Sequence, residues 1–228
     1  MLAMETEMKT QRTTCGSRAL TLTELLVVIC VVVLLAAVLL PALRVGDGRK
    51  HEIINCVNNL KQIGLSFRIW EGDNGDNYPM KISVTNGGAM ELAVAGNVSA
   101  IFRVMSNELS TPKVLVCPQD TARYYANNFT TDFNNQKISY FVGLDAEDKY
   151  PQMIIADDDN LAINGVRARS GILNLVTNAS VGWTKERIGK FHGLGNIGLS
   201  DGSVQTVDLN LQPLLVNTGT ATNRLVIP

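Results

Sequence analysis

The sequence predicts an α+β protein in which a long N-terminal helix, membrane-spanning in its first half, packs on an antiparallel β-sheet. Three observations carry that expectation. From Leu25 to Leu40 the only polar side chain is Cys30. With Pro41, Ala42 and Leu43 the run nears the about 20 apolar residues that a bilayer-spanning helix needs. Beyond it, Ile53, Val57, Leu60, Gly64 and Phe67 recur at helical spacing, with Cys56, Ile63 and Trp70 alongside. From Tyr78 onward the pattern changes to short β-rich runs, among them "KISYFVGL", "QMIIAD" and "GILNLV".

The helix reads as one interrupted element from about Leu20 to Trp70. Pro41 removes a backbone donor and should kink or loosen it. Gly46 and Gly48 weaken the next turn. Gly72 and the cluster "GDNGDNYP" end it. Farther on, "KVLVCP" reads as another strand, and the stretch from Ala89 to Ser110 as holding a short helix. The clearest β element is "GNIGLSDGSVQTVDL", where Asp201-Gly202 suits a two-residue type I′ turn. In that register Leu199 faces Val204 and Ile197 faces Thr206.

The chain has 228 residues, 46% hydrophobic and 18% charged, which suits one membrane segment and one globular domain. Its net charge is −1, and no basic stretch follows the apolar run, so there is no electrostatic footprint for nucleic acid. An ordinary cleaved signal would have an apolar core of about 7–15 residues and a small-x-small site after it. This run is longer, and "LLPALRVG" supplies no such site. Lys9, Arg12 and Arg18 precede the run and Arg44, Arg49 and Lys50 follow it, so local charge alone does not orient it.

One carboxylate, Glu24, stands at the head of this apolar run. A charge at membrane depth costs about 2.5–3.5 kcal/mol on insertion scales, so such a residue normally has a partner. "SRALTLTELLVVI" resembles the processing site of type IV prepilins and type II secretion pseudopilins. In that family a short basic leader ends in a small residue, and a hydrophobic residue, Thr-Leu-x-Glu and an apolar helix follow. The resemblance implies that a prepilin peptidase cuts between Ala19 and Leu20 and N-methylates Leu20. Ala19 stands where glycine is commoner, and Leu20 where phenylalanine is. Glu24 matches the family glutamate that meets the terminal amine of a neighbouring subunit. Two costly buried charges would then compensate each other and set the register between subunits. Pro41 sits where many members have a helix proline.

Later blocks, "CVNNLKQIGLSFRIW", "VLVCPQD", "ISYFVGLDAEDKYPQMIIADDDN" and "FHGLGNIGLSDGSVQ", resemble a narrower group of type II secretion G-like, pilin-like proteins. The last block resembles that group's His-spacer-Asp-Gly motif, through His192, Asp201 and Gly202, with a slightly shorter spacer than usual. The implied organisation is a leader at 1–19, a transmembrane and assembly helix at 20–43, its amphipathic continuation at 44–72, and an extracytoplasmic pilin-like domain at 73–228. The implied setting is the inner membrane, crossed once, with the large domain periplasmic and the chain in a filament after assembly. Implied partners are prepilin peptidase, other pilin or pseudopilin subunits, the inner-membrane assembly platform and membrane lipid. A membrane-anchored binding module for polysaccharide or a secreted substrate is the alternative.

No catalytic constellation is legible. There is no Cys-His zinc spacing, and no nucleophile has an evident base. The expectation is a non-enzymatic chain with no cofactor, structural calcium being an option that the resemblance raises. Its candidates are Asp73, Asn74 and Asp76, oxygen ligands in a glycine-containing loop without EF-hand spacing, since Val84 stands where the closing Glu belongs. A second acidic cluster, "DDDN" at 157–160, reads like the first as a solvated turn. The two tryptophans, Trp70 and Trp183, are too separated to suggest a sugar platform. Of the four cysteines, Cys15 falls in the implied leader and Cys30 in the apolar run. Cys56 and Cys117 remain, either bonded in an oxidising compartment or buried as separate thiols.

Overall fold

A computed structural model of the chain describes residues 21–43, 48–176, 180–184, 195–207 and 222–228, except the side chains of 38–43, 48–53 and 222. The chain divides into two compact units, the boundary falling between Asp47 and Gly48.

The first unit holds α1 (Leu22–Leu43). The helix carries on through Pro41 to Leu43, and Gly46 lies outside the described residues. Its large apolar side chains from Leu22 to Leu35 are between 49% and 79% exposed, on every face. Such a helix has no polar side to give to water. Its described side chains end at Ala37, and among the described residues no helix is long and apolar enough to cross a membrane.

The second unit is an α+β domain. It begins with α2 (Gly48–Asp73), which buries Cys56, Leu60, Ile63, Phe67 and Trp70. Those positions follow the helical period, so a single stripe faces the core. Val57, expected in the stripe, is half-buried at its edge, and the side chain of Ile53 lies outside the described residues. The Phe67 ring meets Tyr78 edge-on at 5.6 Å and Phe102 at 6.2 Å. Three short helices follow where one was expected: α3 (Met90–Val94), α4 (Val98–Val104) and α5 (Ser106–Leu109). Gly96, at φ 89°, separates the first two, and Asn97 caps α4 through the Ala100 N–H.

"KVLVCP" is not a strand. Pro112–Leu115 form a 3₁₀ turn, and Val116, which follows it, is extended. Pro112 sits at the first helical position with its φ already set, and the Thr111 hydroxyl accepts from the Lys113 N–H. Cys56 and Cys117 are joined by a disulfide, with Cα atoms 5.1 Å apart. The bond ties α2 to this turn rather than to the sheet. The Asn59 amide, donating to the Val116 carbonyl at 3.1 Å, fastens the same two segments one turn farther on.

The strands are β1 (Tyr140–Gly143), β2 (Ile154–Asp158), β3 (Leu161–Ile163), β4 (Val166–Arg167), β5 (Gly171–Val176), β6 (Val181–Trp183), β7 (Gly195–Leu199), β8 (Val204–Val207) and β9 (Thr222–Ile227). Six form one sheet, in the order β5-β9-β1-β2-β7-β8, with every pairing antiparallel. β4, β3 and β6 form a second sheet that the sequence did not suggest. The large sheet has a core on each face. One holds Tyr140, Val142, Ala156 and Val226 with the stripe of α2. The other holds Phe141, Leu175, Ile197 and Leu225 with Leu161, Val181 and Trp183 of the small sheet. β2 is buried along its whole length because it lies between the two.

The β7–β8 hairpin has a three-residue loop, not the two-residue turn expected. Gly198 pairs with Val204 and Ile197 with Gln205, one residue away from the expected register. The Gly202 N–H donates to Leu199 O, and the Leu199 N–H to Ser203 O, both at 2.9 Å. Gly202 takes φ 82°, which completes a type I turn followed by a left-handed residue. The Asp201 carboxylate holds the turn by accepting from the Ser203 N–H at 2.8 Å.

Candidate functional site

The head of α1 is a capping box. Thr21 precedes the helix, and its hydroxyl accepts from the Glu24 N–H at 3.3 Å. Glu24 reaches back and accepts from the Thr21 N–H and hydroxyl, both at 2.8 Å. Each residue satisfies backbone donors that a helix start leaves open. Within one chain, therefore, the carboxylate already has a structural role, and it remains exposed. Ala19, Leu20 and His192 lie outside the described residues.

Asp73, Asn74 and Asp76 end α2. The Asn74 amide donates to Trp70 O at 2.7 Å, and the N–H groups of Asn74 and Asp76 both turn back to Glu71 O. Asp76 takes φ 57°, a left-handed conformation that Asp and Asn tolerate better than most residues. Among the described residues no three His, Cys, Asp or Glu side chains gather as a metal-holding group.

The cluster "DDDN" is the larger surprise. It is not a solvated turn: Asp157 and Asp158 have no exposed surface, Asp159 is 3% exposed and Asn160 1%. The cluster ends the central strand β2, so both faces are covered. Asp158 lies opposite Tyr140 on the α2 side and accepts from the N–H and side-chain amide of Asn196 at 3.0 and 3.1 Å. Its other oxygen has no partner among the described residues. Burial pushes this carboxyl up to about 7, with Asp159 and Asp120 adding to the shift and Asn196 opposing it. Asp157 points the other way, between Phe141 and Ile197, and accepts the Asp158 N–H at 2.6 Å. Burial, aided by Asp158, raises it well above the carboxylate range. Both groups are sealed from solvent.

The outer end of the cluster is covered by two arginines, of which Arg167 is one-third exposed. Asp159 pairs with Arg123 at 2.6 Å and with Arg167 at 3.6 Å. Arg123 also meets Asp120 at 3.3 Å, and Asp120 accepts from the Ser139 hydroxyl at 2.9 Å. A charge-pair network of this kind fixes a loop more than it adds net stability. Here it holds the loop that follows Cys117 and presents Tyr124 and Tyr125, 75% and 51% exposed.

Two grooves flank Tyr124. One, of about 580 Å³, lies between that loop and α2, with Asn58, Asn59 and Gln62 on its helix wall and Tyr125 opposite. The other, of about 660 Å³, has Gln136 and Lys137 on its far wall. Arg123 and Tyr124 line both. Sequence reasoning passed over all of these residues. The only local signal was the doubled tyrosine in "TARYYANN", and nothing there points to an amide row about sixty residues upstream. No family model, no curated protein and no solved structure matches the chain.

Proposed function

We propose that the chain is a prepilin-like structural subunit of a type II secretion pseudopilus or type IV pilus-like filament. One observation carries this reading: α1 exposes apolar side chains on every face, with a single carboxylate at its head. A surface of that kind is stable in a bilayer or in a bundle of like helices, not in water. The sequence continues the apolar run to Leu40, which brings it close to spanning length. The Cys56–Cys117 disulfide supports placing the second unit in an oxidising, extracytoplasmic compartment.

In this reading prepilin peptidase removes residues 1–19 and methylates Leu20. The capping box then acquires a second use. Glu24 already binds the Thr21 N–H, one residue from the new terminus. In the assembled filament it exchanges that local contact for the terminal amine of a neighbour, and the register of α1 against α1 is set by the two charges. The work of assembly comes from an inner-membrane platform, and the chain contributes shape, an apolar helix and one charge.

The test is intact-mass measurement on membrane-extracted protein. Loss of the first nineteen residues with gain of one methyl group is expected, and a mature chain beginning after Leu43 overturns the reading. Glu24→Gln keeps the side chain's shape and removes its charge. It should leave insertion and cleavage intact and abolish incorporation into filaments. Unchanged incorporation would assign the carboxylate to the capping box alone.

A further inference from the structure

We propose that the two grooves flanking Tyr124 form one binding site for a neutral polysaccharide chain. The proposal goes beyond filament assembly and does not depend on it.

Two grooves of about 580 and 660 Å³ lie side by side and share Arg123 and Tyr124. Each falls in the about 300–1,000 Å³ range of small-molecule sites. Joined across one ring they suit an extended chain, such as linked sugars, rather than a single compact ligand.

The lining fits the same occupant. A pyranose has one apolar C–H face and a rim of hydroxyls. Tyr124, 75% exposed between the grooves, offers a ring for that face. The hydroxyls each need a donor and an acceptor together, and a side-chain amide supplies both. Asn58 on one wall and Gln136 on the other are exposed and have no side-chain bond to another described residue. Asn59 and Gln62 spend their N–H groups on Val116 O and Asn58 O, at 3.1 and 3.3 Å.

The charges argue for a neutral ligand. Arg123 is held by Asp120 and Asp159. Lys113 lies over the Tyr125 ring at 5.2 Å. The cation that the two grooves share is therefore paired where they meet, beside Tyr124.

The site is also built in advance. The disulfide clamps the amide wall to the tyrosine loop, and the buried Arg123 pairs fix the loop from beneath. Little freedom remains to be lost when a ligand binds.

The experiment is calorimetric titration of the full chain in a micelle without sugar headgroups, because a maltoside detergent would compete. The probes are cellohexaose, mannohexaose and xylohexaose, with hexagalacturonate and a mixed hexapeptide pool as the other arms. At least one neutral hexaose should bind with a Kd of about 1 mM or below. Tyr124→Ala should weaken it at least about tenfold, and Tyr124→Trp should retain it. Asn58→Ala should weaken it by a smaller factor. These side chains are exposed, so the urea midpoint of every variant should match the parent. Absence of binding by all three neutral hexaoses at about 10 mM overturns the proposal, as does affinity that survives Tyr124→Ala or a preference for the uronate or the peptides. None of these results alters the mass and filament readouts of the assembly reading.

Discussion

Asp158 keeps its proton at a pH where an exposed aspartate has lost it. The cause is burial on the central strand, with Asp159 and Asp120 close by and only Asn196 favouring the ionised form. Its folded-state value of about 7 lies above the ordinary 3.8. Between those two values the folded chain binds more protons than the unfolded chain, so its stability falls as pH rises through the window. The contribution is fully present below about pH 4 and is lost above about pH 7, amounting to about 4 kcal/mol at most. Asp158→Asn removes the titration while keeping an oxygen for Asn196. Urea unfolding at a series of pH values should therefore show the variant gaining on the parent from about pH 4 to about pH 7 and levelling off above it. A constant difference across that range would mean that Asp158 ionises normally.

At the scale of the elements, the domain depends on how α2 is fastened. Its inner stripe is held by packing, and the Cys56 end of that stripe also by a covalent bond to Cys117, with the Asn59 amide donating to Val116 O beside it. The bond spans 61 residues of sequence. A loop that long removes much freedom from the unfolded chain, about 4 kcal/mol in the chain-entropy model. Replacing both cysteines, as Cys56→Ser with Cys117→Ser, should lower unfolding stability by about 2–4 kcal/mol in urea. Reductant should bring the parent to the level of the variant and leave the variant unchanged. The same clamp forms one wall of the Tyr124 grooves, so the element that stabilises the helix also shapes the candidate site.

At the scale of the whole molecule, the two units have opposite needs. The second buries a core on each face of its large sheet, while α1 exposes apolar side chains all round. A chain beginning at Gly48 should therefore remain monomeric without detergent and unfold cooperatively, with stability that still responds to reductant. Size-exclusion chromatography with urea unfolding checks this. The full chain under the same conditions should need detergent or associate through α1. A truncated chain that precipitates would show that the domain uses α1 for its own core.

Some of this was determined by the sequence alone, because it rests on local periodicity. The apolar run was legible by its length and the stripe from Cys56 to Trp70 by its helical period, so α1 and α2 were legible, as was the stop at Gly72. The runs at Tyr140–Gly143, Ile154–Asp158 and Gly171–Val176 were legible as strands because their β-branched and aromatic residues favour a pleated surface. Tertiary structure decided the rest. "DDDN" is polar by every local measure, yet a second sheet covers β2 and buries it, and no local pattern reveals which face will be covered twice. "KVLVCP" is apolar enough for a strand, but Pro112 opens a turn there and the disulfide holds Cys117 to α2. In the hairpin, Asp201-Gly202 marks a turn of either length. Leu199 and Val204 belong to cores on opposite faces, and a register that paired them would put both on the same face. The grooves join amides of α2 to tyrosines about sixty residues away. Residues that far apart become one surface only when the chain between them is folded.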